Sequence, residues 1–230
     1  MSESVEFIKN RAVKTISAAN QVAADWVWPE KSPAEMQTQL HGIIGDTDAT
    51  PPVVGQEEIV ATAQQTMLGS RIAWDAGLDQ LHLWTTQGLG MARIKYRNQP
   101  LQFAKLDGLT AVGSSREETL AEALEWQTAW KKLDPSWAPL PANTLVAFEA
   151  LRDQCAGDLK THYAAKQSDL RDETNTLAAL ARDMEDINEA WYADVCRVFV
   201  AGTPHGDMIR STIPTTYTPP TAKPPVPPVG

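Results

Sequence analysis

Val5, Ile8, Ala12, Ile16, Ala19, Ala23 and Trp26 recur at steps of three and four residues, the spacing that puts side chains on one face of an α-helix. The pattern predicts a first helix over 4–28, ended by Pro29. Ser32-Pro33-Ala34-Glu35 then supplies a capping serine, a proline at the first helical position and a glutamate placed to reach back to the cap. A short helix is predicted from 33 to about 44, closed by the turn formers of Asp46-Thr-Asp-Ala-Thr-Pro-Pro52.

From Gln56 the apolar set Val60, Ala63, Met67, Ile72, Trp74, Leu78, Leu81, Trp84 and Met91 keeps helical spacing, so one long helix is expected to about Tyr96. Gly69, Gly77, Gly88 and Gly90 interrupt it, each costing about 1 kcal/mol relative to alanine, and Gly88-Leu-Gly90 is the expected kink. Asn98-Gln-Pro100 closes the segment, and Gly108 and Gly113 loosen the connection to the next helix. Ser115-Arg-Glu-Glu118 reads as a second capping box opening a helix to about Leu133. Pro135, Pro139 and Pro141 exclude helix, after which Asn143 is the expected cap of the last long segment.

That segment carries apolar residues at helical spacing from Leu145 through Trp191 to Val198. Two arrangements fit. One is a continuous helix over 143–200, roughly 85 Å long at 1.5 Å per residue; the other is a hairpin turning in Arg171-Asp-Glu-Thr-Asn-Thr176. Neither Gly nor Pro occurs in that polar stretch, which favours the continuous helix, whereas a hairpin would bring Cys155 and Cys196 level. Gly202 stops the helix and Pro204 opens one short turn. Seven of the 16 prolines fall between 214 and 230, where an extended, polyproline-like tail is expected.

The fold class is therefore all-α: long antiparallel helices in a bundle, with a proline-rich tail over 213–230. Ala24-Asp-Trp26 followed by Pro29 and a capped helix echoes Thr128-Ala-Trp130 followed by Pro135 and a capped helix. Gly88, Gly90, Arg93 and Pro100 likewise echo Gly202, Gly206, Arg210 and Pro214, so the expected division is two duplicated halves, 1–110 and 111–212.

Composition narrows the function. Lys and Arg number 20 against 29 Asp and Glu, a net charge of −9 that repels phosphate and disfavours nucleic-acid binding. Two cysteines make neither a disulfide framework nor a four-cysteine zinc site. The N-terminus lacks the basic and then apolar order of a secretion signal, and no apolar run approaches the roughly 20 residues of a membrane span. The expected location is cytoplasmic, or exported without a classical signal peptide.

Candidate chemistry is sparse. Asp79-Gln-Leu-His82 sets a carboxylate and an imidazole one helical turn apart, but carboxylate-bridged metal sites need a second such motif. Arg93, Lys95 and Arg97, with Lys105 nearby, form the basic cluster, placed where cations complement a helix C-terminus. Gly202-Thr-Pro-His-Gly206 follows a helix rather than a strand and lacks the Gly-Lys-Ser/Thr ending of a phosphate loop. Cys155 and Cys196 sit on apolar stripes with no histidine paired in sequence. Trp26, Trp74, Trp84, Trp126, Trp130 and Trp191 read as core or helix-interface residues, and Trp28 and Trp137, at proline corners, as lids.

The stretch from Met91 to Tyr217 resembles an uncharacterised bacterial family of Trp-containing all-helical proteins. The resemblance rests on Lys95-Tyr-Arg-Asn-Gln-Pro100, Ala129-Trp-Lys-Lys-Leu-Asp-Pro-Ser-Trp137, Thr144-Leu-Val-Ala-Phe148, Trp191-Tyr192, Gly202-Thr-Pro204, Gly206-Asp-Met-Ile-Arg210 and Ile213-Pro-Thr-Thr-Tyr217. It covers a little over half the chain, implies a helical fold and transfers no site.

The function expected from these features is non-enzymatic assembly without cofactor or metal. A homo-oligomer would form through the long helices and a C-terminal arm. In the arm, Pro219, Pro220, Pro224, Pro225, Pro227 and Pro228 would dock on Trp28 and Trp137 of another subunit. The alternative is a binding module for a small apolar ligand or a partner helix. A helical effector or pore former fits less well, because the polar stretch 166–176 would be costly in lipid.

Overall fold

A computed structural model describes residues 4–215. The fold is all-α and 75% helical; among the described residues the β-type pairing amounts to two isolated bridges, Asp46 with Val53 and Leu140 with Asn143. The helices are α1 (Val5–Val22), α2 (Pro33–Ile44), α3 (Gln56–Tyr96), α4 (Pro100–Phe103), α5 (Arg116–Leu133), α6 (Leu145–Gln154), α7 (Lys160–Val198) and α8 (Pro204–Thr212). A 3₁₀ turn, Ala104–Leu106, extends α4, and a π turn, Cys155–Leu159, joins α6 to α7 without a break. The continuous helix is thus the arrangement found, and the hairpin between Cys155 and Cys196 is absent, leaving both thiols free.

The order of helices repeats. A helix of 18 residues, a short helix, a helix of 41 and a short helix are followed by helices of 18, 10, 39 and 9 residues. Pro100 and Pro204 both open the short helix that closes a series, so the counterpart of Pro100 is Pro204 rather than Pro214. The compact units, however, are not the halves 1–110 and 111–212. One unit takes residues up to 61 and from 172 onward, the other 62–171. Each therefore combines the first two helices of one series with the later part of the long helix, and the closing short helix, of the other. Accordingly α1 packs on α2 and α8, while α5 packs on α6 and the 3₁₀ turn.

In the first unit the core gathers Met36, Leu40, Ile43, Met184 and Trp191 around α1. Ser32 caps α2 with the full reciprocal box expected of it. Helix α1 ends at Val22, six residues short of the expected end. The cause is tertiary: the Trp28 indole N–H donates to Asp194 (3.1 Å) and Trp26 packs edge-on against Phe199, contacts a continued helix would not make. Arg11 is buried and paired with Glu185, to which the Asn188 amide also donates. Arg210 donates to the carbonyls of Cys196 and Phe199 and so caps the end of α7.

In the second unit Trp126 stacks on Trp130 (centroids 5.3 Å apart), and Trp130 meets Trp137 and Phe148 edge-on. Helix α3 passes through its glycines unbroken. A Cβ at Gly88 would lie 2.8 Å from the Trp126 ring, and one at Gly77 2.9 Å from Cys155 Sγ, so these glycines admit large neighbours without ending the helix. The Trp74 indole donates to the Cys155 carbonyl (3.0 Å) at the start of the π turn, which contains Gly157. Thr144, not Asn143, caps α6; Asn143 is buried and donates to the Trp84 carbonyl (3.2 Å). Ser115 caps α5, but Glu118 accepts from the backbone and hydroxyl of Ser114 rather than closing a box on Ser115.

Glu122, buried on α5, holds the preceding loop. Burial alone would raise its pKa, but hydrogen bonds from the Val112 N–H, the Thr110 hydroxyl and the Gly113 N–H, with His82 nearby, outweigh it and hold the carboxyl below its ordinary 4.5. Its stabilising contribution is complete above the ordinary value and is lost as pH falls through the lower native one. Glu122→Gln turns an amide NH₂ toward these donors and is expected to cost about 2 kcal/mol at pH 7. In urea unfolding at a series of pH values, the gap between wild type and variant should close in acid; a gap constant down to pH 3 would contradict this.

Candidate assembly surface

Helix α3 has two apolar faces. Trp74, Leu78, Leu81, Leu89, Ala92 and Tyr96 are buried in the core of the second unit. At 100° per residue Ile72 lies about 200° around the helix from Trp74, on the other side, and Leu83 and Ile94 follow it there at intervals of three turns. These three are 68%, 47% and 68% exposed. Leu68 and Met91 border the same side and are also exposed. The seam is apolar, well over 30 Å long at 1.5 Å per residue, and carries one charge along its centre line, Asp79. Sequence spacing alone puts Ile72 and Met91 in one stripe with Trp74 and passes over Leu83 and Ile94. The signal that finds them is the eleven-residue interval, three helical turns, between 72, 83 and 94.

The expected receivers of the proline arm are placed otherwise. Trp28 is 4% exposed and hydrogen-bonded to Asp194, part of the first unit's core rather than a lid. The crevice beside it, lined by Trp26, Val27 and Trp191 among others, encloses only about 10 Å³. Trp137 is half-buried; its carbonyl accepts from the Trp130 indole (2.9 Å), its ring meets Tyr96 edge-on, and the Lys95 ammonium stands 4.5 Å from its centroid. Pro219, Pro220, Pro224, Pro225, Pro227 and Pro228 lie outside the described residues. Of the other tryptophans, Trp74, Trp126, Trp130 and Trp191 are buried, and Trp26 and Trp84 half-buried.

Several of the remaining candidates are held by neighbours within their own unit. Asp79 is exposed on α3, and His82 lies partly beneath the loop at Gly113. Both line a cavity of about 270 Å³ with Asp75, Ser115 and Arg116. There Arg116 is bound to Asp75 (2.7 Å) and stacked on Trp74. Among the described residues no group of three or more His, Cys, Asp or Glu is placed to hold a metal ion. The basic cluster is dispersed: Arg93 donates to the Leu109 carbonyl, Lys95 pairs with Asp134, and Lys105 donates to the Lys132 carbonyl. Burial pushes the Cys155 thiol above its usual value, away from the reactive thiolate. Among the described residues no helix is long and apolar enough to cross a membrane. No protein-family model, curated protein or solved structure matches the chain.

Proposed function

We propose that the protein is a non-enzymatic helical subunit that self-associates through its long helix α3. The observation that carries the reading is the exposed seam of Ile72, Leu83 and Ile94 on a helix whose other face is already committed to a core. Apolar surface of this extent is costly to leave in water, and a stripe whose centre line carries the single charge of Asp79, on a chain of net charge −9, is a part of its surface where two copies meet with little repulsion. The proline-rich arm is not needed for this reading.

A second reading, a module binding a small apolar ligand, is favoured by a depression of about 470 Å³ lined by Leu109, Leu124 and Ala129 together with Lys105, Glu125 and Lys132. One experiment separates the two. Light scattering on the full chain at micromolar concentration should give the mass of two or more copies, whereas a ligand-binding module would run as a monomer. A monomeric mass up to about 100 μM, where contacts weaker than about −5.5 kcal/mol no longer hold two copies together, would overturn the assembly reading.

A further inference from the structure

We infer that two copies pair antiparallel along α3, with Leu83 on a twofold axis; this rests on the self-association proposed above. The seam is palindromic. Moving outward from Leu83, steps of four, three and four residues reach Gln87, Gly90 and Ile94 in one direction and Asp79, Ala76 and Ile72 in the other. An antiparallel pair therefore brings Ile72 against the second copy's Ile94, Ala76 against its Gly90, Asp79 against its Gln87, and Leu83 against itself. Every contact occurs twice, as an isologous interface requires.

Chemistry selects this direction over the parallel one. In parallel register Asp79 would face Asp79, placing two carboxylates together in a closing apolar seam. Antiparallel, each Asp79 carboxylate meets a Gln87 amide that can donate to it. Gly90 fits the same pairing. Gly77 and Gly88 on the same helix are explained by Cys155 and Trp126, which occupy the space where a Cβ would be, but a Cβ at Gly90, like one at Gly69, would meet nothing within 4 Å. A glycine in mid-helix weakens the helix unless close approach requires it, and within its own chain nothing approaches. Opposite Ala76 of a second copy, the missing side chain lets the helices come within the 8–10 Å of ordinary helix packing.

The area is sufficient. The exposed parts of Leu68, Ile72, Leu83, Met91 and Ile94, with the small residues between them, amount to on the order of 600 Å² per copy, or about 1,200 Å² for the pair, the lower bound for a specific interface.

Spin labels outside the seam test the direction. Thr86→Cys and Gln65→Cys, both exposed positions of α3, are each introduced with Cys196→Ser into the full chain, labelled with a nitroxide and measured by pulsed electron resonance after light scattering has shown dimers. Residue 86 is three positions from the axis and residue 65 eighteen, so the antiparallel pair gives interspin distances under about 25 Å at 86 and near 55 Å at 65. Short distances at both positions would mean a parallel pair, and absence of these distances in a proven dimer would put the interface elsewhere. Either result overturns this geometry and leaves self-association standing. A monomeric mass overturns both.

Discussion

Leu83→Glu is expected to raise the dissociation constant for self-association by about a thousandfold while leaving the unfolding curve of the chain in place. On a twofold axis a substituted residue meets its own copy, so one substitution sets two carboxylates face to face in a closing apolar seam, a juxtaposition that costs several kcal/mol, at 1.4 kcal/mol per tenfold. Within a single chain the side chain is half-exposed and lies opposite the buried face of α3, so the fold loses little. The symmetry also supplies the controls. Leu83→Met should associate as wild type does. Leu83→Lys should fail alone but pair with Leu83→Glu when the two are mixed, because only the mixed pair sets opposite charges on the axis. Analytical ultracentrifugation of the variants, alone and mixed, reads all of this. Unchanged association of Leu83→Glu would remove Leu83 from the interface.

Trp130→Ala carries the largest expected effect on stability. The ring is fully buried between Trp126, Trp137 and Phe148, and its N–H satisfies the Trp137 carbonyl. Truncation removes the largest side chain at the middle of the second unit's core, leaves a cavity where three aromatic rings had met, and strips a carbonyl of its donor. About 3–5 kcal/mol is the usual cost of the first two losses, and the third adds about 1 kcal/mol or more. Domains hold about 5–15 kcal/mol in all, so the variant should lie at the edge of unfolding at room temperature. Because every partner of Trp130 belongs to residues 62–171, hydrogen exchange should rise there first. Uniform loss of protection from Val5 to Thr212 would show instead that the two units unfold as one.

The short elements are the most legible in sequence, because local chemistry decides them. Ser32, Pro33 and Glu35 act within one helical turn, and α2 begins and ends where they and Gly45 require. Longer elements depart from the sequence pattern wherever a distant partner outweighs it. Trp26 keeps the spacing of α1, yet Phe199 and Asp194 draw the Trp26–Trp28 corner out of the helix. Gly88 reads as a break in α3, but the helix runs through it and Trp126 lies across it. Asn143 reads as a cap, but its amide is taken by Trp84, far back in the chain. The candidate surface is half legible for a different reason. Ile72 stands five residues after Met67 and two before Trp74, off the three-and-four step, so counting it in the stripe of Trp74 joins two residues that point opposite ways. On a helix with two apolar faces, periodicity has to be resolved in angle as well as in step.

The sharing of helices between the two series orders events in time as the ribosome releases the chain. The second unit needs nothing beyond residue 171 and can close while the rest is still being made. The first unit cannot: α1 and α2 emerge early, yet their partners Met184, Trp191, Val195 and Ile209 come last, and Arg11 waits for Glu185, 174 positions downstream. At about 5–20 residues per second, the apolar face of α1 and α2 stays uncovered for about 10–30 s, long enough to engage a holding chaperone. Helices α1 and α2 are thus made before α5 and α6 but housed after them.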